Sequence, residues 1–233
     1  MIRVSVAVLC VMTALLTMQA APAAAQRIDS PYRFIDASQH AGLFAGYVDA
    51  SPGRVGLGPQ PGPVVGGRWG IRISGPFTVG AEVAYIPTTR AVRDTVFDAD
   101  EGAFRELGEA DMRLLTAMAN LTFSLTGPRT WNGLRPLLSA GAGAAFDLAG
   151  RSSLDDELPG GQRYRFGTSF AGQFGAGVEW FALDRVSVRA DARNALWRIS
   201  NPEAFRLTEE GRTIPRSQWE SNLTLTAGLS IHF

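Results

Sequence analysis

The sequence is poor in the residues on which thiol and imidazole chemistry depend. Its 233 residues include one cysteine, Cys10, and two histidines, His40 and His232. Cys10 lies in an amino-terminal apolar run that we expect to be removed on export, which would leave the exported chain without cysteine. We therefore predict neither a disulfide bond nor a reactive thiol, although the chain would enter an oxidising compartment.

Neither sign of charge is in excess. Arginine supplies all 22 basic residues, and aspartate and glutamate together supply 22 acidic residues, so the formal net charge at pH 7 is zero. Proteins that bind nucleic acid usually carry a basic surface that neutralises the phosphates. We therefore predict no nucleic-acid partner.

Long apolar runs are absent after the amino terminus. Residues 1–25 contain one early arginine, an apolar run from Val4 to Leu16, and two small residues, Ala23 and Ala25, that frame a cleavage site. The run is shorter than the roughly 20 residues that a spanning helix needs. The pattern predicts a signal peptide over residues 1–25 that is cleaved after Ala25.

The remaining chain is rich in alternation with a period of two. The ending SNLTLTAGLSIHF places apolar side chains at every second position up to Phe233, with small or polar side chains between them. Seven earlier stretches alternate in a similar way: 42–48, 64–74, 78–86, 113–125, 137–148, 166–180 and 185–197. Such alternation predicts eight β-strands, each with one apolar and one polar face.

The connections between these strands alternate between long and short. The long ones cover residues 51–63, 88–111, 149–164 and 200–217. Outer-membrane barrels sort their loops in this way, because tight turns face the periplasm and longer loops face the outside. We predict an all-β fold over residues 39–233, an eight-stranded antiparallel up-and-down transmembrane barrel. Residues 26–38 would form a periplasmic lead-in or tuck against the barrel mouth.

The apolar strand faces are expected to point outward. Eight strands enclose too little space for a phenylalanine or tryptophan from nearly every strand, whereas membrane hydrocarbon accepts a broad apolar belt. The barrel is therefore predicted to contact outer-membrane lipid. The aromatic residues expected to face that lipid are Trp69, Tyr85, Phe170, Phe174 and Trp180.

The terminal Phe233, closing an alternating strand, resembles the carboxy-terminal signature of bacterial outer-membrane β-barrels. In size and strand number the chain resembles the transmembrane domain of outer-membrane protein A and its superfamily. The resemblance implies a monomer in the outer membrane, with Phe233 as an assembly signal recognised by the barrel-insertion machinery. It does not specify a function, since small barrels include membrane tethers, adhesins, narrow channels and lipid-modifying enzymes.

The polar strand faces predict a closed, ion-paired lumen. Four basic and four acidic residues fall on these faces: Arg68, Arg72, Arg189, Arg193, Glu82, Glu179, Asp191 and Glu220. Charges in a narrow lumen must be paired, and we expect Glu179 and Glu220 to balance the arginines of the seventh strand. A role in envelope structure or surface interaction follows, with an unknown extracellular partner. Inward Leu114 and Met118 would instead suit a narrow channel for small or apolar solutes.

No motif predicts catalysis, a cofactor or a metal. Ser230 and His232 share a face and resemble the serine and histidine of the lipid A deacylase barrels, but that family's site lies near the outer leaflet and this pair lies near the periplasm. Gly175 and Gly177 lack the third glycine and the helix of a dinucleotide-binding motif. The acidic segment within 88–111 lacks the spacing of a calcium-binding loop and is expected to be solvated.

Two strand registers are ambiguous. Asn194 falls on the lipid side while Leu196 and Trp197 are adjacent apolar residues, so we predict a bulge near Ala195. In the first strand, Leu43 and its neighbour are both apolar, and alternation does not decide which one faces lipid.

We predict that deletion of Phe233 reduces barrel assembly in cells more than it reduces refolding in detergent. The reason is that the resemblance gives Phe233 a recognition role in addition to packing. Heat-modifiable gel migration of folded protein measures both yields. Equal losses in the two assays would mean that Phe233 acts through packing alone.

Overall fold

Antiparallel strands make up most of the protein in the computed structural model, which describes residues 30–98, 103–206 and 213–233. The strands are β1 (Tyr32–Phe34), β2 (Gln39–Asp49), β3 (Gly62–Ser74), β4 (Phe77–Asp98), β5 (Ala103–Ser124), β6 (Arg129–Trp131), β7 (Leu134–Asp147), β8 (Thr168–Leu183), β9 (Val186–Ser200) and β10 (Ser217–His232). A short helix, α1 (Ser153–Asp156), and a 3₁₀ turn (Glu203–Phe205) lie in the loops. The expected signal peptide, residues 1–25, lies outside the described residues.

No helix in the described ranges is both long and apolar enough to cross a membrane.

Eight of the strands close into a barrel. Each pairs antiparallel with its neighbours in the ring order β7, β5, β4, β3, β2, β10, β9, β8, and β8 returns to β7. The first and last barrel strands meet at Phe233, whose main-chain oxygen accepts from the Gln39 N–H at 2.9 Å. Every backbone hydrogen bond can thus be made between strands, which is how a sheet avoids an open edge in lipid. The predicted eight-stranded antiparallel barrel is confirmed.

The two ends of the barrel carry the predicted short and long connections. Residues 75–76 and 184–185 form two of the tight turns, whereas residues 50–61, 148–167 and 201–216 connect strands at the other end. We call the first end periplasmic and the second extracellular, as this sorting is typical of outer-membrane barrels.

The described part of the 26–38 segment lies against the periplasmic end. β1 pairs antiparallel with β6, and Tyr32 lies opposite Trp131. The Ile35 N–H donates to the main-chain oxygen of Pro128 at 2.9 Å. Residues 31–35 therefore pack against the connection between β5 and β7.

The predicted loop over residues 88–111 is wrong for most of its length. β4 continues to Asp98 and β5 begins at Ala103, and the pairing of the two strands extends this far. Each has 22 residues, about twice the 9–11 that cross a membrane. The outer half therefore projects as a hairpin into water, where a strand needs no apolar face. The calcium-loop question falls largely on residues outside the described ranges.

The outer face of the barrel is an apolar belt. Aromatic side chains are exposed near both ends of it: Phe77, Trp180 and Phe233 toward the periplasm, and Tyr47, Phe170 and Trp219 toward the outside. Such girdles are typical of barrels at the two membrane interfaces. Of the five aromatic residues predicted to face lipid, Trp69, Phe170, Phe174 and Trp180 are exposed on this face, and Tyr85 occupies an outward register position but is half-buried.

The ambiguous registers are resolved by the pairing. Leu43 points outward and is 75% exposed, whereas Phe44 points into the lumen and is 5% exposed. The bulge predicted near Ala195 is wrong, because β9 pairs without a shift on both sides there. Alternation simply continues, with Trp197 buried inside and Asn194 outside, where its amide donates to the Ser221 hydroxyl at 2.8 Å.

An arginine introduced into β4 should reduce the stability of the barrel more within the apolar belt than within the projecting hairpin. Val83 and Val96 are similarly exposed, at 49% and 52%, but Val83 lies in the belt and Val96 in the hairpin. We expect Val83→Arg to destabilise the barrel by about 2–4 kcal/mol in bilayers, and Val96→Arg to leave its stability close to the parent's. Urea unfolding in vesicles measures both, and equal effects would contradict the assignment of the membrane boundary.

Candidate functional site

The inner face of β9 shows how the lumen is layered. From the periplasmic end outward its inward side chains are Ser187, Arg189, Asp191, Arg193, Ala195, Trp197 and Ile199. The first four are polar and the last three are apolar. Because every second residue of a strand faces the same side, this one strand passes through each layer of the lumen in turn.

The layer nearest the periplasm is built around Glu179, which is 1% exposed. Arg135 on β7 forms a buried ion pair with it. The Ser187 hydroxyl donates to Glu179 Oε1 at 2.6 Å, and His232 Nε2 lies 3.2 Å from the same oxygen. The His40 ring lies beside that of His232, with centroids 5.6 Å apart.

The middle layer joins opposite walls of the barrel. Asp191 on β9 accepts from Arg189 on its own strand at 2.7 Å and from Arg68 on β3 at 2.8 Å. Arg193 donates to Glu82 at 2.5 Å, and their strands, β9 and β4, are diametrically opposite in the ring. All five side chains are buried. Two of the three ion pairs, Arg68 with Asp191 and Arg193 with Glu82, therefore cross the lumen.

The extracellular half of the lumen is apolar. Phe44 marks the boundary, since the guanidinium carbons of Arg68 and Arg193 lie 4.6 and 5.6 Å from its ring centroid. Beyond it the strands and loops contribute one buried cluster, which we call the cap: Phe44, Val48, Ala50, Val55, Leu57, Val64, Ala84, Ile86, Met112, Leu114, Met118, Ala145, Tyr164, Phe166, Ala171, Trp197, Ile199 and Phe205. Three extracellular loops thus fold inward over the mouth. Phe166, which alternation placed on the lipid side, belongs to the cap.

Little free space remains between these layers. A cavity of about 20 Å³ lies among the charged residues, and another of about 30 Å³ lies between them and the cap. One water needs roughly 10–15 Å³, so the first cavity has room for one or two molecules and the second for two or three. Both are lined by Glu82, Gln173 and Arg193, which form the partition between them.

Six of the eight predicted lumen charges meet in these layers: Arg68, Glu82, Glu179, Arg189, Asp191 and Arg193. The other two lie at the ends of the lumen and are half-buried. Arg72 donates to the main-chain oxygen of Asp36 at 3.3 Å near the periplasm. Glu220 accepts from the Ser51 hydroxyl at 2.6 Å near the outside. The structure thus corrects the expected role of Glu220 as partner of a β9 arginine.

Arg135 is a seventh charge in the buried layers that the sequence pattern does not predict. Both Arg135 on β7 and Arg189 on β9 lie directly opposite Glu179 in the register. Glu179 forms its ion pair with Arg135 and not with the expected β9 arginine. Alternation carried back from Leu138 assigns Arg135 to the inner face, but the adjacent apolar Leu137 conceals the pattern. Among the described residues of the buried layers, four arginines therefore meet three carboxylates.

The serine and histidine that do meet are Ser187 and His232, with Oγ and Nε2 2.8 Å apart. Alternation along the last strand instead suggests Ser230 as the partner of His232. A catalytic serine is activated when the histidine takes its proton and the acid holds the other ring nitrogen. Here Glu179 approaches the same nitrogen, and the serine donates to the carboxylate. The arrangement therefore differs from that of a catalytic triad.

Comparison with known proteins finds matches only among solved structures. No protein-family model matches the sequence, and neither does any curated protein. Neisserial surface protein A is 17% identical over 84% of this chain and 97% of that one, with a TM-score of 0.50. The outer membrane protein OprG from Pseudomonas aeruginosa is 12% identical over 88% of this chain and 99% of that one, with a TM-score of 0.53.

The chain has the fold of the small eight-stranded outer-membrane β-barrels. At these identities the likeness concerns fold alone, because barrels of one shape carry unrelated functions. The family resemblance inferred from the sequence is confirmed at this level. The apolar belt of this outer-membrane barrel requires hydrocarbon around it, so its location is the outer membrane and its surrounding partner is lipid.

The different surroundings of two glutamates predict different costs of neutralising them. Glu179→Gln would leave the buried Arg135 without its counter-charge, so we expect a loss of about 3–5 kcal/mol in the free energy of unfolding. Glu220→Gln keeps an acceptor for Ser51 and is the matched control, with an expected loss under about 1 kcal/mol. Urea titration in vesicles, followed by heat-modifiable migration, measures both. Similar stability of the two variants would mean that Glu179 is well hydrated.

Proposed function

We propose that this outer-membrane barrel is a closed, non-enzymatic protein that contributes to envelope structure or surface interaction. The observation that carries the proposal is the pair between Arg193 and Glu82, which ties diametrically opposite walls at mid-height. An ion that passed along the lumen would have to separate these buried charges. Separation of such a pair costs several kcal/mol because neither charge is otherwise solvated.

The charges and the cap support closure at two heights. Asp191 is shared by two arginines, and Glu82 and Glu179 are each paired with one. In the described buried layers, no carboxylate is therefore free to attract a permeating cation. The cap lies above the charges, so even a hydrated path through the ion pairs would meet a buried apolar layer. Conducting pores instead line a hydrated constriction with charged or polar groups, whereas the charges of this lumen are buried and held in ion pairs.

A narrow channel for apolar solutes is the second candidate. Leu114 and Met118, which suggested it in the sequence, both lie in the cap, and the cap residue Trp197 has an indole N–H with no hydrogen-bond partner among the described residues. The adjoining cavity of about 30 Å³ is smaller than the apolar molecules that such a channel would carry. Passage would therefore require the loops of the cap to move.

The proposal excludes catalysis in the lumen. Glu179 and Ser187 both contact His232 through one nitrogen, so no relay of base and orienting acid is formed. The group is also 3% exposed or less, which leaves a lipid substrate no approach to Ser187. Recognition, if it occurs, would involve the extracellular loops, where functional residues of such barrels concentrate.

Electrical measurements test the closed lumen. We expect the purified protein to give no single-channel steps in planar bilayers, because ion pairs and cap block the path in series. A double variant, Arg193→Ala with Glu82→Ala, removes the ion-paired part of the partition without stranding a charge. It should remain silent since the cap is intact. Adding Phe44→Ala and Trp197→Ala should then produce conductance.

Steady single-channel steps from the parent protein would contradict the closed lumen.

The apolar channel makes a separate prediction, which methyl NMR can check. Met112 and Met118 both lie in the cap, so a small apolar solute that enters the lumen would shift their methyl signals. Unchanged signals at saturating solute would rule out this second candidate.

A further inference from the structure

A cleft of about 220 Å³ opens at the extracellular end, apart from the ion-paired layers of the lumen. The loop of residues 148–167 forms most of it, together with Arg90 on the projecting part of β4 and Asp147 at the end of β7. Leu148, next to Asp147, is apolar and 56% exposed. The cleft therefore begins close to the level at which the lipid-facing surface ends.

The inner wall of the cleft is fixed by a buried contact between hairpin and loop. Arg90 forms an ion pair with Asp155 in α1, and both are nearly inaccessible to solvent. The Ser152 side chain and Asp155 cap α1 reciprocally. The guanidinium carbon of Arg90 lies 5.6 Å from the ring centroid of Tyr164. The wall is thus ordered by contacts within the protein before any ligand arrives.

Two polar atoms in this ordered wall have no partner among the described residues. They are the hydroxyl of Tyr164, whose residue is 5% exposed, and Oδ1 of Asp155, whose residue is 3% exposed. Burial raises the pKa of the Tyr164 hydroxyl, although the nearby Arg90 acts in the opposite direction. The phenol consequently remains a donor at neutral pH. A buried donor and a buried acceptor left unpaired call for a ligand or water that satisfies both.

The outer part of the cleft is basic. Since Arg90 and Asp155 neutralise each other, the remaining charged groups are three guanidinium groups, of Arg151, Arg163 and Arg165, and the carboxylate of Asp147. Arg163 is held in place because its Nε donates to the main-chain oxygen of Leu158 at 2.8 Å and its Nη2 donates to that of Asp156 at 3.2 Å. Its Nη1 lies 3.9 Å from the Asp156 carboxylate, which offsets part of its charge. Arg151 and Arg165 are exposed. Guanidinium groups bind phosphate oxygens well because several N–H donors meet them in one plane.

We propose that this cleft binds a phosphorylated sugar. The phosphate would lie among the guanidinium groups of Arg151, Arg163 and Arg165, where the excess positive charge is found. A sugar hydroxyl would accept from the Tyr164 hydroxyl, and another would donate to Oδ1 of Asp155. The same chemistry occurs on free phosphosugars and on phosphorylated sugar headgroups of lipids at the membrane surface. The proposal rests on the surface role proposed above but not on the closed lumen.

Calorimetric titration of the purified protein in detergent tests the chemistry with glucose 6-phosphate, glucose and inorganic phosphate as probes. We expect saturable binding of glucose 6-phosphate that is at least about tenfold tighter than that of either other probe, because only it uses both parts of the cleft. A second arm uses nanodiscs containing lipopolysaccharide with or without its phosphates. If the protein binds phosphorylated lipopolysaccharide in nanodiscs more tightly than it binds free glucose 6-phosphate in detergent, the lipid headgroup is the source of the phosphorylated sugar.

Variants locate the binding. Arg151→Gln with Arg165→Gln should weaken glucose 6-phosphate binding by about tenfold or more, since both are charge-assisted contacts. Tyr164→Phe should weaken it several-fold without loss of folding, because its hydroxyl has no partner in the described structure. Arg54→Gln is the matched control, an exposed arginine in the 50–61 loop outside the cleft. It should bind like the parent.

Three results would overturn the proposal. Equal affinity for inorganic phosphate and glucose 6-phosphate would show that the sugar contributes nothing to binding. Unchanged affinity in the cleft variants would show that binding occurs elsewhere. Absence of binding in both detergent and nanodiscs would rule out the site and its ligand together. None of these results depends on electrical conductance, so failure of the cleft and failure of the closed lumen are distinguishable.

Discussion

Eight strands enclose a lumen too narrow to hydrate several charges, and each arginine inside it must therefore meet an acceptor. Asp191, held by Arg68 and Arg189, and the pair of Arg193 with Glu82 satisfy this constraint across the barrel. The inner strand faces are consequently rich in glycine, alanine and serine, which leave room for the long arginine side chains. The proposed closure of the lumen follows from how these charges are satisfied.

The environment of the strands differs between their two faces, and it also changes along their length from hydrocarbon to water. Hydrocarbon surrounds the belt, whereas β4 and β5 continue into water as a hairpin that packs against α1 and the 148–167 loop. The loops bury their apolar side chains in the cap and leave basic ones in the cleft. In the proposed function, the interior stabilises the barrel, and a partner would bind at the extracellular surface.

Much of the fold could be predicted from alternation, because lipid on one side and a small lumen on the other impose opposite demands on neighbouring residues. The hairpin beyond the membrane could not, since water solvates both of its faces and its charges look like those of a loop. Arg135 was missed because the adjacent Leu137 and Leu138 interrupt the pattern, although one lies inside and the other outside. The cleft left no signal, since its arginines are dispersed along a loop and one strand.

What the sequence by itself determined is the side of the barrel wall on which most residues lie, because strand periodicity is a local property of the backbone. Only the tertiary structure decided which charges meet. Glu82 lies directly opposite Arg68 on the adjacent strand, yet it pairs with Arg193 on the far wall, while Arg68 reaches Asp191. A closed barrel of eight strands brings opposite walls within reach of a single arginine side chain, and no pattern along the chain records that distance.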